Sequence, residues 1–130
     1  MKHITTSGKR KSAIARARLM EGKGNVRINS LALEHVQPEL LRMRIQEPLL
    51  LAGDVAQSVD ITVTVQGGGP SSQADAARLA IGRALVAFNK KLEKVLLSYD
   101  RQLLVADVRR KEVAKPNDSK ARAKRQKSYR

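Results

Sequence analysis

Two stretches of this chain concentrate groups that can neutralise phosphate. In GKRKSAIARAR, Lys9, Arg10 and Lys11 lead into an alternation that sends Arg16 and Arg18 to one side, about 7 Å apart at two residues of extended rise. The closing KARAKRQKSYR, Lys120 to Arg130, holds six cationic side chains and no acidic one. Each such group that meets a phosphate displaces condensed counterions, and arginine can also fork two hydrogen bonds onto one phosphate. An ordinary solvated surface mixes charge signs, so a run of one sign points either to a polyanionic partner or to a solubilising tail.

Other chemistry finds little support. The GGGP of residues 67–70 stands where a strand meets a helix, a place for phosphate on a helix N-terminus, but neither G-x-x-x-x-G-K-[ST] nor G-x-G-x-x-G fits, since position 72 is Ser. The expected role is a turn in which Ser71 or Ser72 caps the following helix. His3 and His35 are isolated and the carboxylates are scattered singly, so neither a nucleophile–base pair nor a metal cluster is evident. No enzymatic activity, cofactor or metal is expected.

These groups sit on a chain of 130 residues, the length of one domain. Its core must come from Leu, Val, Ile and Ala, because Phe88, Tyr99 and Tyr129 are the only aromatics, and their scarcity argues against a large base-stacking platform. The absence of cysteine fits a reducing compartment. MKHITTSGKRKS carries no apolar h-region, and no run approaches the roughly 18 apolar residues of a membrane span. A soluble cytoplasmic protein, without membrane contact, is expected. The net charge of +14 is carried by the ends: residues 1–27 amount to +7 and residues 109–130 to +8, while residues 28–108 amount to −1. A neutral scaffold bears two cationic extensions.

The scaffold reads as α+β. Ala13, Ala15, Ala17 and Leu19 alternate with Arg16 and Arg18 in a strand over about 11–20, and GKGN then VRIN suggest that it pairs with the next strand in a basic β-hairpin. A short helical turn is expected at 30–35 and a helix over about 38–46, ended or kinked by Pro48. SVDITVTVQ, with Val59, Ile61, Val63 and Val65 alternating, is the clearest strand. Residues 77, 80, 81, 84, 85 and 88 form the buried stripe of the next helix, with Asp75, Arg78, Gly82 and Arg83 opposite. KKLEKVLLSYD continues as helix, and LLVAD returns as a last short strand. The predicted architecture is a small mixed sheet with helices packed on one side, residues 1–108, followed by an extended basic tail, residues 109–130. Residues 111–130 contain no Leu, Ile or Phe, too little to offset an ordering cost of about 1–2 kcal/mol per residue. The tail is expected to be disordered when free and ordered by RNA.

GKRKSAIARARL, the GxGxVxIN stretch, VTVxGGGxSSQADAxRLAIxRAL, DRQLLVAD and the terminal QKSYR together resemble ribosomal protein nine of the small subunit. The QKSYR ending is similar to the family's archaeal and eukaryotic branch, and the resemblance runs over nearly the whole chain. It implies a left-handed βαβ-type domain, like the second domain of the fifth small-subunit ribosomal protein, seated on rRNA in the subunit head beside neighbouring ribosomal proteins. It further implies a C-terminal tail that reaches peptidyl-site tRNA at the anticodon stem-loop. By position, Lys9, Arg10, Lys11, Arg16, Arg18, Arg109, Arg110, Lys111, Lys120, Arg122, Lys124 and Arg125 would meet rRNA, and Lys127, Ser128, Tyr129 and Arg130 the tRNA. Where relatives often have a glycine-rich tail, this chain has KPNDSKARAKRQKSYR, which stiffens residues 115–121 and adds a local repulsion at Asp118. The rival reading of the charge is a sequence-tolerant DNA-compacting protein, against which this sequence shows no recognition helix rich in Arg, Asn and Gln for the major groove. A nucleotide enzyme built on the Gly67 loop is the third.

Overall fold

The structure, a computed structural model, describes residues 3–114, 116 and 121. Five strands form one mixed sheet: β1 (His3–Arg10), β2 (Ala13–Glu21), β3 (Val26–Ile28), β4 (Leu31–Ala32) and β5 (Val59–Gln66), in the order β1-β2-β5-β3-β4. β3 runs parallel to β5, and the other neighbours are antiparallel. The described residues also form four α-helices: α1 (Glu39–Ala52), the single turn α2 (Asp54–Gln57), α3 (Pro70–Phe88) and α4 (Leu92–Tyr99). α3 lies on β1, β2 and β5, and α1 packs on α3, so the α+β reading of the sequence holds.

Period-two patterning builds the sheet. Ala13, Ala15, Ala17 and Leu19 of β2 and Val59, Ile61, Val63 and Val65 of β5 are buried under the helices, while the residues between them are mostly exposed. The small alanines let α3 approach closely, and its Ala76, Ala77, Ala80, Ile81, Ala84 and Leu85 are fully buried against them. The sheet's other face stays open to solvent.

Several expectations are corrected. β2 does not form a hairpin with β3: its turn partner is β1, through Lys11–Ser12, and β5 lies between β2 and β3. The Gly22–Asn25 segment instead wraps onto β5, where Lys23 N–H and Asn25 N–H donate to Asp60 Oδ1 at 2.9 and 3.0 Å. Asn29 extends the β3 ladder with its side chain, accepting from Val65 N–H at 2.8 Å and donating to the Val65 carbonyl at 3.1 Å. The turn expected at 30–35 is split between β4 and a 3-10 turn at Leu33–His35. α1 runs through Pro48 to Ala52, since the ring is buried in the core and its packing offsets the lost backbone donor. LLVAD is no strand: Asp100 caps a 3-10 turn at Arg101–Leu103, Leu103 plugs into the core, and extended chain follows.

Gly82 does not belong to the polar face of α3. It is buried, and a Cβ there would lie 2.4 Å from the Leu103 carbonyl oxygen. Neither Ser71 nor Ser72 caps α3; its N-cap is Gly69, and the Gln73 side chain donates to the Gly67 carbonyl at 3.0 Å.

Candidate nucleic-acid interface

β1 and β2 meet in the two-residue turn Lys11–Ser12, with Lys11 at φ 54°. Beneath it sits the glycine loop: Gly67, at φ 81°, comes so near that a Cβ would stand 2.5 Å from the Ser12 carbonyl oxygen. The glycines therefore seat the basic turn on the end of β5. The chain leaving Leu103 comes to the same corner, bringing residues 109–111 beside residues 9–14. Lys9, Lys11, Ser12, Ile14, Arg109, Arg110 and Lys111 line one groove of about 560 Å³. It has five cations and no acid along its walls.

The open face of the sheet continues the positive surface. Arg18 stands in register with Thr5 on one side and Thr62 on the other, and Thr62 with Arg27 of β3. Arg16 lies one step along between Ser7 and Thr64. Neighbouring strands are about 4.8 Å apart, so Arg18 and Arg27, two strands apart, stand about 10 Å apart. Hydroxyls of Thr5, Ser7, Thr62 and Thr64 are interleaved with the guanidinium groups. Among the described residues, the side chains of Lys9, Lys11, Arg16, Arg18, Arg27, Arg110 and Lys111 make no hydrogen bond or ion pair within the protein. They are exposed and uncompensated, the condition for releasing counterions on meeting a polyanion.

Arg10 behaves differently. Even-numbered positions of β1 face the helices, so Arg10 points away from Lys9 and Lys11, with only 15% of its side chain exposed. It lies 3.8 Å from Asp75 and 3.5 Å from Asp107. Asp75 in turn accepts from Arg44 of α1 at 3.1 Å, and Asp107 accepts from Arg109 Nη2 at 2.7 Å. Alternating charges thus run Arg44, Asp75, Arg10, Asp107, Arg109 from α1 to the root of the tail. A second bridge has Arg78 of α3 donating to Glu47 of α1 and to Asp100 beyond α4. Arg83 Nε donates to the Leu104 carbonyl at 3.1 Å and its Nη1 to the Ser7 carbonyl at 2.9 Å, tying the departing chain to β1.

Of the residues expected to meet RNA, the groove therefore gathers Lys9, Lys11, Arg109, Arg110 and Lys111, and the open face holds Arg16 and Arg18. Arg10 is withdrawn into the interior. Lys120, Arg122, Lys124, Arg125, Lys127, Ser128, Tyr129 and Arg130 lie outside the described residues. Arg27, Ser12 and Ile14 join the surface without having been singled out; the alternation in VRIN carried the signal for Arg27.

The Asp107 carboxyl is held below the usual carboxylate range, first by the Arg109 side-chain hydrogen bonds, then by the Arg109 backbone N–H, with Arg10 adding its charge against the cost of desolvation. The backbone N–H groups of Asn25 and Lys23 lower Asp60, and the N–H of Gln102, with Arg78, lowers Asp100. A carboxyl depressed in the folded state stabilises the fold above its unfolded value, and that contribution is lost as pH falls through the folded value. Thermal unfolding followed by circular dichroism is expected to show a midpoint that drops as pH is lowered below about 4, and Asp107→Asn should make that drop shallower. An equally steep drop in the variant would remove Asp107 from this role.

A family model described as ribosomal protein S9/S16 matches residues 8–130. The chain is 51% identical over 134 aligned positions to small ribosomal subunit protein uS9 of Methanococcus vannielii, with 100% of both chains covered. It is 50% identical, again over 100% of both, to the proteins of the same name from Methanococcus maripaludis strains C7 and C5.

Proposed function

This chain belongs to the ribosomal protein S9/S16 family, and on that premise we propose that it is a structural, non-catalytic constituent of the small ribosomal subunit that clasps rRNA of the subunit head between the two cationic ends of its fold. The convergence of Lys9 and Lys11 with Arg109, Arg110 and Lys111, from opposite ends of the sequence, in one acid-free groove is the observation that carries this reading. The open sheet face extends the contact through Arg16, Arg18 and Arg27, whose guanidinium groups suit phosphate oxygens and whose neighbouring hydroxyls suit sugar and phosphate oxygens. Flat, arginine- and threonine-bearing and almost free of aromatics, this face reads backbone rather than stacked bases.

Residues 1–108 act as the seat, and residues 109–130 as a basic extension. Lys120, Arg122, Lys124 and Arg125 continue the rRNA contact. Lys127, Ser128, Tyr129 and Arg130 reach peptidyl-site tRNA. Neighbouring proteins of the head cover other surfaces, and the protein works in the cytoplasm as part of the ribosome. Among the described residues no helix is long and apolar enough to cross a membrane.

Sedimentation of a native lysate through sucrose in moderately high salt tests the constituent role. The protein is expected to travel with small-subunit rRNA, and its remaining at the top, or with DNA, would overturn the reading. Deleting Lys127–Arg130 removes two cations that, at about 0.7 counterions each for single strands, are worth roughly tenfold in affinity near 0.15 M salt. Filter binding of peptidyl-site tRNA to subunits carrying the truncated chain should show about that loss with sedimentation unchanged. Unaltered tRNA affinity would end the tail's assignment.

A further inference from the structure

Asp107 is the buried acid among the described residues, with 7% of its surface exposed, and it sits two residues before the tail's basic run. Its two oxygens are taken by one tail residue: Arg109 N–H donates to Oδ1 at 2.9 Å, Nε to both oxygens at 3.1 and 3.0 Å, and Nη2 to Oδ2 at 2.7 Å. Behind it stands Arg10 Nη1 at 3.5 Å, a buried nitrogen with no hydrogen-bond partner of its own. Arg10 is fixed by β1 and by Asp75, and Asp75 by Arg44. The carboxylate therefore joins a rigid strand to a segment without secondary structure.

We propose that Asp107 is a positioning residue, a clamp that fixes the first turn of the tail so that Arg109, Arg110 and Lys111 form the wall of the groove opposite Lys9 and Lys11. This rests on the rRNA reading above and assigns within it the group that preorganises the site. Without the clamp, residues 108–111 have little to hold them: Val108 is 87% exposed, and among the described residues Arg110 and Lys111 make no side-chain hydrogen bond or ion pair. Five like charges in one groove repel each other, and the buried Asp107 carboxylate, which lies outside the groove walls and holds Arg109, offsets part of that repulsion where the tail begins. Ordering this segment before RNA arrives removes a cost that binding would otherwise bear.

The sign of the effect separates this role from simple electrostatics. Asp107→Asn makes the protein more positive by one, so an account based on net charge predicts tighter rRNA binding. The positioning account predicts weaker binding, by about 4- to 30-fold at 0.15 M salt, as one or two phosphate contacts are lost. The chain has no cysteine, so Leu50→Cys on α1 and Val113→Cys in the full-length protein accept a pair of spin labels on exposed side chains outside the clamp and the cations of the groove and sheet face. Pulsed dipolar spectroscopy should give one narrow distance in the parent and a broad distribution in Asp107→Asn. Arg109→Lys keeps every charge but loses the fork; it should broaden the distance and weaken binding likewise, and it covers the case in which Asp107→Asn does not fold. An unchanged narrow distance in the folded variants, or broadening with equal or tighter binding to small-subunit rRNA, would overturn the proposal. Failure of the parent itself to bind that rRNA would instead overturn the functional reading, leaving the distances to decide the clamp on their own.

Discussion

Replacing Lys9, Lys11, Arg110 and Lys111 together by alanine is expected to weaken binding to small-subunit rRNA by about 200- to 1,000-fold at 0.15 M salt. Each phosphate contact contributes about 0.7 to 0.9 to the slope of log K against log salt. At that salt concentration each is thus worth about 4- to 6-fold, and four multiply to the stated range. The slope itself should fall by about 3 to 4. All four side chains are exposed and, among the described residues, without partners, so thermal unfolding should be unaffected. Arg109 is left in place because its removal would strand Asp107. A control that removes Lys90, Lys91, Lys94 and Arg101, four exposed cations around α4, should cost less than about tenfold, because charges far from the contact act only through a screened field. Equal losses in the two sets would mean that total charge, and not the groove, binds the RNA.

Gly82→Val should lower the stability of the fold by about 3 kcal/mol, which for a domain of this size moves the unfolding midpoint by about 10 °C or more. Local propensity argues the other way, since valine is favoured over glycine in a helix by a few tenths of a kcal/mol. The clash decides the sign: a Cβ would lie 2.4 Å from the Leu103 carbonyl oxygen, and a backbone atom cannot swing aside as a flexible side chain can. The valine would push the Arg101–Leu103 turn away from α3 and shift the chain that carries Asp107. Calorimetry of the full-length variant gives the test, and a midpoint within a degree or two of the parent would show that this turn is not held as described.

How much of this was legible in the sequence depended on where the information lay. β2, β5 and α3 are written in local periods, so Val59 to Val65 and Ala77 to Leu85 could be read directly. β1 could not: in HITTSGKR only Ile4 is strongly apolar, and the strand is held instead by Thr6 donating to the Ala80 carbonyl at 2.8 Å, by Gly8 pressed against Ala76, and by the Arg10 ion pairs. Missing β1 led to the wrong partner for β2, because the glycine-bearing GKGN imitates a hairpin turn while pairing is decided by the remote β5. LLVAD has the composition of a strand, yet Leu103 is used as a core plug and Asp107 as an anchor.

For the candidate site, residue type was legible and arrangement was not. The runs at 9–11 and 109–111 announce phosphate chemistry by composition alone, but a hundred residues separate them, and nothing local says that they share a groove. Arg10 shows the converse. Once β1 is known, strand parity by itself sends Arg10 to the opposite side from Lys9, and the carboxylates of half-buried Asp75 and buried Asp107 explain why the arginine belongs there. The fold thus spends one cation of the run on holding the others in place.

The most direct test of the rRNA clasp is site-directed hydroxyl-radical cleavage in reconstituted small subunits. With no native cysteine to interfere, an iron chelate is attached at Ile14→Cys, on the groove wall, and in parallel at Leu50→Cys, an exposed position on α1. Strong cuts in head rRNA from position 14, and weaker or no cuts from position 50, are the predicted result. Subunits that incorporate the protein yet show no cleavage from position 14 would contradict the account.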